Sequence, residues 1–170
     1  MMGSGKSTTA RRVARRLGIA HLDTDDEVQR AAGESIVSIF AGRGEAWFRA
    51  EESRVLREAL ASNVAQVVSV GGGAVLDADS RLALRGAGSV VWLRARPETL
   101  ARRLPAGGTR PLLTSGGEEP AAALARIDAE RRALYEAVAT VVIDVDGLRP
   151  DEVADQVVQE APSPRTGERR

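Results

Sequence analysis

The hexapeptide GSGKST at residues 3–8, running directly into TARRVARRLG, constrains this chain more than any other stretch. It is the second half of the phosphate-binding pattern GxxxxGK[ST], in which loop N–H groups cradle phosphates, the Lys reaches the β- and γ-phosphates and the hydroxyl meets Mg²⁺. Gly3, Ser4, Gly5 and Thr8 belong to the cradle, Lys6 supplies the cation and Ser7 the hydroxyl. The chain carries 24 basic residues, of which Lys6 is the single lysine. An Arg-biased chain has kept Lys where a compact ammonium is needed rather than a wide planar fork. The first Gly of the pattern falls one residue ahead of Met1, and the strand that feeds such a loop falls ahead of that Gly. The expectation is an internal Met taken for the start, with an apolar strand ending in Gly encoded in frame just upstream.

Length and composition bound the rest. A chain of 170 residues with 43% hydrophobic content is sized for one domain with a real core. Acidic and basic residues balance at 24 each, so nothing favours nucleic acid or an anionic membrane as partner, and any anion site must be a local cluster. The absence of Cys excludes disulfides, thiolate metal sites and a Cys nucleophile. With no apolar run of about 18 residues and no leader pattern, the chain is expected to be cytoplasmic.

Along the chain, apolar positions at Ala10, Val13, Ala14 and Leu17 predict an amphipathic helix over 7–17, stopped by Gly18. Residues 19–23 predict a strand whose end delivers the carboxylates of DTDD, followed by a helix over 26–32. Two helices follow, the first capped by Ser35 and the second starting near Gly44. Strands are predicted over 67–70, 89–93 and 141–145, and helices over about 79–84, 98–103, 120–139 and 150–160. Residues 105–119 are rich in Gly, Pro, Ser and Thr and contain Arg110, which reads as a lid or binding loop. The alternation of strand and helix implies an α/β fold with a parallel sheet.

Phosphoryl transfer needs in-line positioning and positive charge around the moving group. Lys6, Ser7 with Mg²⁺, and Arg110 closing from the lid fit that need. Asp23 and Asp25 fall on one side of an extended segment, one suited to holding Mg²⁺ through water and the other to orienting or deprotonating a hydroxyl. Asp26 reads as a helix cap. Arg49 and Arg131, from separate helices, suit a planar carboxylate, with Glu52 one turn after Arg49 to hold its guanidinium. Gly71, Gly72 and Gly73 end a strand, where missing side chains let a ligand approach the backbone. His21 reads as structural, and Trp47, Trp92 and Tyr135 as core or pocket wall.

Four ordered motifs, GSGKST, LDTDDEV, GESIVSIFAGRGEAWFRAEE and SVGGGAV, with RPLL and RRALY in support, make the chain resemble the shikimate kinase family from Met1 to about Glu160. The resemblance implies a three-layer α/β/α P-loop NTPase fold with strand order 2-3-1-4-5, whose central first strand is missing here. It implies one kinase domain over 1–161, with substrate-binding helices at about 33–61 and a lid at about 104–119, and a disordered tail at 162–170. Transfer of the ATP γ-phosphate to the 3-hydroxyl of shikimate, with Mg²⁺, by a monomer is the implied activity. The implied roles are Asp25 as base, Arg49 and Arg131 on the shikimate carboxylate, Gly72 on the substrate and Asp23 beside Ser7 at the metal. Arg110 would lie on the phosphates, Phe40 and Phe48 would wall the pocket, and Arg103 and Arg149, the latter in the IDVDGLRP loop, would lie by adenine. The alternatives are another small-molecule P-loop kinase, such as one acting on gluconate, or a nucleotide-binding module without catalysis.

Overall fold

A computed structural model describes residues 1–104 and 119–161. The predicted lid, with Arg110, and the tail therefore lie outside the described residues. Helix α1 (Lys6–Leu17) begins from Gly5 in the left-handed region (φ 84°) with no side-chain cap and no acid in its first turn. Its leading N–H groups are thus left for a ligand. Gly18, again left-handed, returns its N–H to Ala14 and Arg15 and ends the helix. Thr9, Ala10, Val13 and Ala14 form the buried stripe, while Arg12 and Arg16 pair outward with Asp151 and Asp155.

Strand β1 (Ala20–Asp23) leads into α2 (Thr24–Ala32), then α3 (Ile36–Gly42) and α4 (Gly44–Ala61). The expected helix over 26–32 starts two residues sooner. Asp23 rather than Asp26 is its cap, accepting from the Asp25 N–H at 3.0 Å. Asp25 consequently stands in the first helical turn and not on an extended segment. A carboxylate cap at a strand's end satisfies the orphan donors there, which is why the chain turns helical at once. Ser35 caps α3 as expected, through the Ser38 N–H.

Strand β2 (Gln66–Ser69) runs into the three glycines, a short 3₁₀ turn at Ala74–Leu76 and α5 (Ala78–Gly86). Strand β3 (Val91–Arg94), α6 (Pro97–Arg102), α7 (Pro120–Glu136), β4 (Val141–Asp144) and α8 (Pro150–Glu160) complete the described chain. Helix α7 ends three residues before its predicted limit, with Ala137 as its C-cap.

All pairing is parallel. β1 pairs with β2 in the register Asp23 to Ser69, and β3 with β4 in the register Arg94 to Asp144, and among the described residues no bond joins the two pairs. The expected order 2-3-1-4-5 without its middle strand is this arrangement of two pairs. The main core gathers Val13, Leu56, Leu93, Leu100, Leu124, Ile143 and Val153. A second cluster, Val28, Ile39, Phe48 and Val55, lies beneath α2–α4 and gives those helices a core of their own.

Candidate active site

A cavity of about 680 Å³ opens where the N-terminus of α1 faces the C-terminal ends of β1 and β2. In a parallel sheet the carboxyl ends of strands and the leading N–H groups of helices meet there, so anion-binding dipoles and side chains converge. Gly3, Gly5, Lys6, Ser7 and Thr8 line one side. Gly3 (φ 77°) needs its lack of Cβ twice over, because a side chain would also press on the Leu100 carbonyl. Lys6 Nζ donates to the Met1 carbonyl at 2.8 Å, and the Ser4 hydroxyl donates to the same oxygen from a buried position. Ser4 therefore braces the loop from within rather than facing the cavity.

The carboxylates sit opposite. Asp23 accepts from the Ser69 hydroxyl at 2.7 Å, and Ser69 is also 3.1 Å from His21 Nε2. Burial alone would raise the Asp23 pKa. Hydrogen bonds from Ser7, Ser69 and the N–H groups of Asp25 and Asp26 outweigh it and hold the carboxyl below its usual range. Asp25 goes the other way: burial, then the negative charge of Asp23, push it up against the pull of Lys6 and Arg49. Two neighbouring acids are thereby split into one held ionised and one more basic than usual, a division that suits distinct roles.

Helix α4 projects Arg49 into the same cavity. Arg49 Nη1 binds Glu52 Oε2 at 2.7 Å and Nη2 binds Glu45 at 3.1 Å, as i,i+3 and i,i+4 neighbours on one helix. Glu52 is 1% exposed and its pKa is raised, by burial above all, with Arg49 opposing. Its Oε1 is buried without a hydrogen-bond partner. Arg131, which by itself reads as an exposed helix charge, is 8% exposed. It donates to the Gly72 carbonyl at 3.3 Å, and its Nε is buried with no acceptor. Two orphaned polar atoms of opposite sign in one cavity mark a place where a polar guest would complete the bonding.

The three glycines serve a purpose sequence reading did not find. A Cβ on Gly71 would overlap Glu52, and one on Gly73 would overlap the Arg49 guanidinium. Their bareness makes room for the Arg49–Glu52 pair as well as for a ligand. Tyr135, expected as core or pocket wall, donates its hydroxyl to the Gly72 carbonyl at 2.7 Å and fixes the middle glycine beside Arg131. Thr24 accepts from the Gly71 N–H at 3.1 Å. Ser69 was also missed, although a small hydroxyl residue just before a glycine run at a strand's end was the available signal.

Phe48 is buried, and Phe40 packs against it with ring centroids 5.0 Å apart at the cavity wall. Arg103 lines the cavity and donates to the Val145 carbonyl at 2.9 Å. Arg149 lies elsewhere, largely exposed and bound to Glu152 at the start of α8. Arg110 lies outside the described residues. For a divalent cation, the donors at hand are the ionised Asp23 carboxylate and the Ser7 hydroxyl, both hard oxygens. No group of three or more His, Cys, Asp or Glu occurs that could hold a metal among the described residues. Two hard oxygens suit an ion such as Mg²⁺, which takes one or two protein oxygens and fills its shell with phosphates and water.

The family model described as shikimate kinase matches residues 2–162. The shikimate kinase of Frankia casuarinae is 44% identical over 153 residues, which is 90% of this chain but 66% of that protein's length. That of Symbiobacterium thermophilum is 41% identical over 161 residues, spanning 94% of this chain and 91% of the relative. Among solved structures, the shikimate kinase of Acinetobacter baumannii in complex with shikimate superposes with a TM-score of 0.87 at 35% identity, over 93% of this chain and 87% of that one.

Proposed function

The chain belongs to the shikimate kinase family and is an ATP-dependent kinase that phosphorylates shikimate, and we propose that it does so with the side chains gathered in the cavity at the head of α1. The observation that carries the assignment of roles is the convergence there of Lys6, Ser7 and Asp23 on one side with Arg49, Arg131 and Asp25 on the other. Membership in the family selects shikimate over gluconate and catalysis over passive nucleotide binding.

Lys6 and the free N–H groups of Gly5, Ser7 and Thr8 hold the phosphates. Ser7 and Asp23 hold Mg²⁺, which when bound neutralises phosphate charge. Arg49 and Arg131 grip the shikimate carboxylate from two elements, a fork geometry that fixes the ring's orientation. Asp25 accepts the proton of the 3-hydroxyl as its oxygen bonds to the γ-phosphorus and the bond to ADP breaks. Its raised pKa makes it a better acceptor than an ordinary Asp. Gly72, its carbonyl held by Tyr135, presents backbone to the substrate, and Phe40 and Phe48 exclude water from the ring. Helices α2–α4 act as the acceptor-binding region, Arg103 serves the base, and Arg110, outside the described residues, serves the phosphates. The chain works as a cytoplasmic monomer.

Arg49→Ala tests the assignment. It should raise the KM for shikimate about 30- to 100-fold, the equivalent of roughly 2–3 kcal/mol for a charge-assisted pair, and leave the KM for ATP within about twofold. Equal effects on both substrates in a coupled ADP-release assay would remove Arg49 from the acceptor site.

A further inference from the structure

The segment 143–150 (IDVDGLRP) sends Arg149 to Glu152 and away from the active cavity, but its middle residues turn back onto α6. By its own residues α6 is poorly started: Arg96 at its N-cap makes no side-chain cap bond, and Pro97 has no N–H. Asp146 supplies the cap from the end of the neighbouring strand. Its carboxylate accepts from the Arg96 N–H at 3.1 Å and from the Thr99 hydroxyl. Thr99, buried, in turn accepts from Arg102 at 3.2 Å, which leaves its one proton for Asp146. Burial alone would raise the Asp146 pKa; the bonds from Thr99 and the Arg96 N–H outweigh it and hold the carboxyl below its usual range.

The other end of α6 is tied to the residue next door. Arg103, the C-cap, is exposed and lines the active cavity, and its guanidinium donates to the Val145 carbonyl at 2.9 Å. A long side chain free to sweep several rotamers is thereby held in one. Between the two ties, the Leu100 carbonyl lies 3.0 Å from where a Cβ on Gly3 would stand, so the backbone of α6 packs flush on the phosphate loop. Adjacent residues after β4 therefore hold a six-residue helix at both ends, and that helix also touches the loop that cradles phosphates. Asp146 itself lines neither the active cavity nor a larger, mostly apolar one of about 760 Å³ bordered by β2 and β3. It can act on a ligand only through α6.

We propose that Asp146 is a positioning residue for the nucleotide, a role that rests on Arg103 serving the base: by capping α6 from outside, it fixes the Arg103 guanidinium relative to the phosphate loop at Gly3. The span between those two points is the span offered to base and phosphates. When the cap is lost, Arg103 is misplaced and affinity falls at the base end. The acceptor side is spared, because Arg49 and Arg131 are held by bonds of their own to Glu45, Glu52 and the Gly72 carbonyl.

ADP dissociation constants from titration calorimetry at one fixed Mg²⁺ concentration, with the shikimate KM from coupled ADP release, test this. Asp146→Ala should raise the ADP Kd about five- to tenfold and leave the shikimate KM within about twofold. Asp146→Asn keeps an acceptor for the Arg96 N–H and should stay within about twofold of the parent. Thr99→Val removes the donor in a side chain of the same shape and should raise the ADP Kd about threefold, which serves if Asp146→Ala does not fold. In an Arg103→Ala background both substitutions should add less than about twofold, since the group they aim is gone. Full effects in that background would overturn the proposal and leave Arg103 at the base. So would a shikimate KM that rises as much as the ADP Kd, or an Asp146→Asn loss equal to that of Ala, which would mean that the charge rather than the cap acts on the nucleotide. An unchanged ADP Kd in Arg103→Ala alone would remove Arg103 from the base and the proposal with it, without bearing on the acceptor site.

Discussion

The two cavities are close in size, about 680 and 760 Å³, yet almost opposite in chemistry. One collects charged side chains from α1, β1, α4 and α7 and leaves Glu52 Oε1 and Arg131 Nε awaiting partners. The other is walled by Val and Leu side chains between two unpaired strand edges. Volume alone would have ranked them equal. What separates the two is that ionisable side chains converge in the first cavity while mostly apolar side chains line the second.

That contrast yields graded expectations. Asp25→Asn should bring the largest loss, about 10³-fold in kcat within the range for removing a general base, and erase the acid limb of the kcat/KM profile. In the unaltered chain that limb should lie above the ordinary Asp value of 3.8, because burial and Asp23 raise the Asp25 pKa. The sign for stability follows. A folded-state pKa above the unfolded value favours the protonated form, so Asp25 costs stability as pH rises through the interval between the two. Urea denaturation across that interval should show the slope in the parent and its loss in Asp25→Asn.

Gly73→Ala should come next. A methyl there displaces the Arg49 guanidinium, so shikimate KM rises about tenfold with ATP KM little changed, measured with both substrates varied. A purely conformational role for the glycine predicts instead a shared loss in both. The smallest effects belong to the apolar gap. Leu100→Ala, in the packed core at 0% exposure, should cost about 2–5 kcal/mol by urea unfolding. Val67→Ala, facing open space on one side, should cost below about 1 kcal/mol and leave shikimate KM unchanged. A Val67→Ala penalty as large as that of Leu100 would mean the gap is closed.

Much of this was legible in the sequence because the decisive signals are local. GSGKST before an amphipathic run specifies a loop and a helix, and Ser35 and Gly18 are a start and a stop. Where local reading slipped, a competing local bond won: Asp23 caps α2 and pulls Asp25 from the extended segment into the helix. The element limits at α7 and the strands shifted by a few residues for the usual reason that end residues are settled by packing.

Tertiary contact decided the rest. By spacing alone Arg131 is a surface charge; only the packing of α7 over the glycines buries it against Gly72, in the wall of the cavity that Arg49 also lines. Likewise only the Asp23–Ser69 register of two strands 46 residues apart holds one acid ionised while burial makes the next more basic. The sequence by itself determined which chemistry the chain carries, because phosphate cradles, caps and turns are made by neighbours in the chain. Which side chains face one another and how their pKa values divide were decided by the fold, since burial and charge act between residues that only folding brings together.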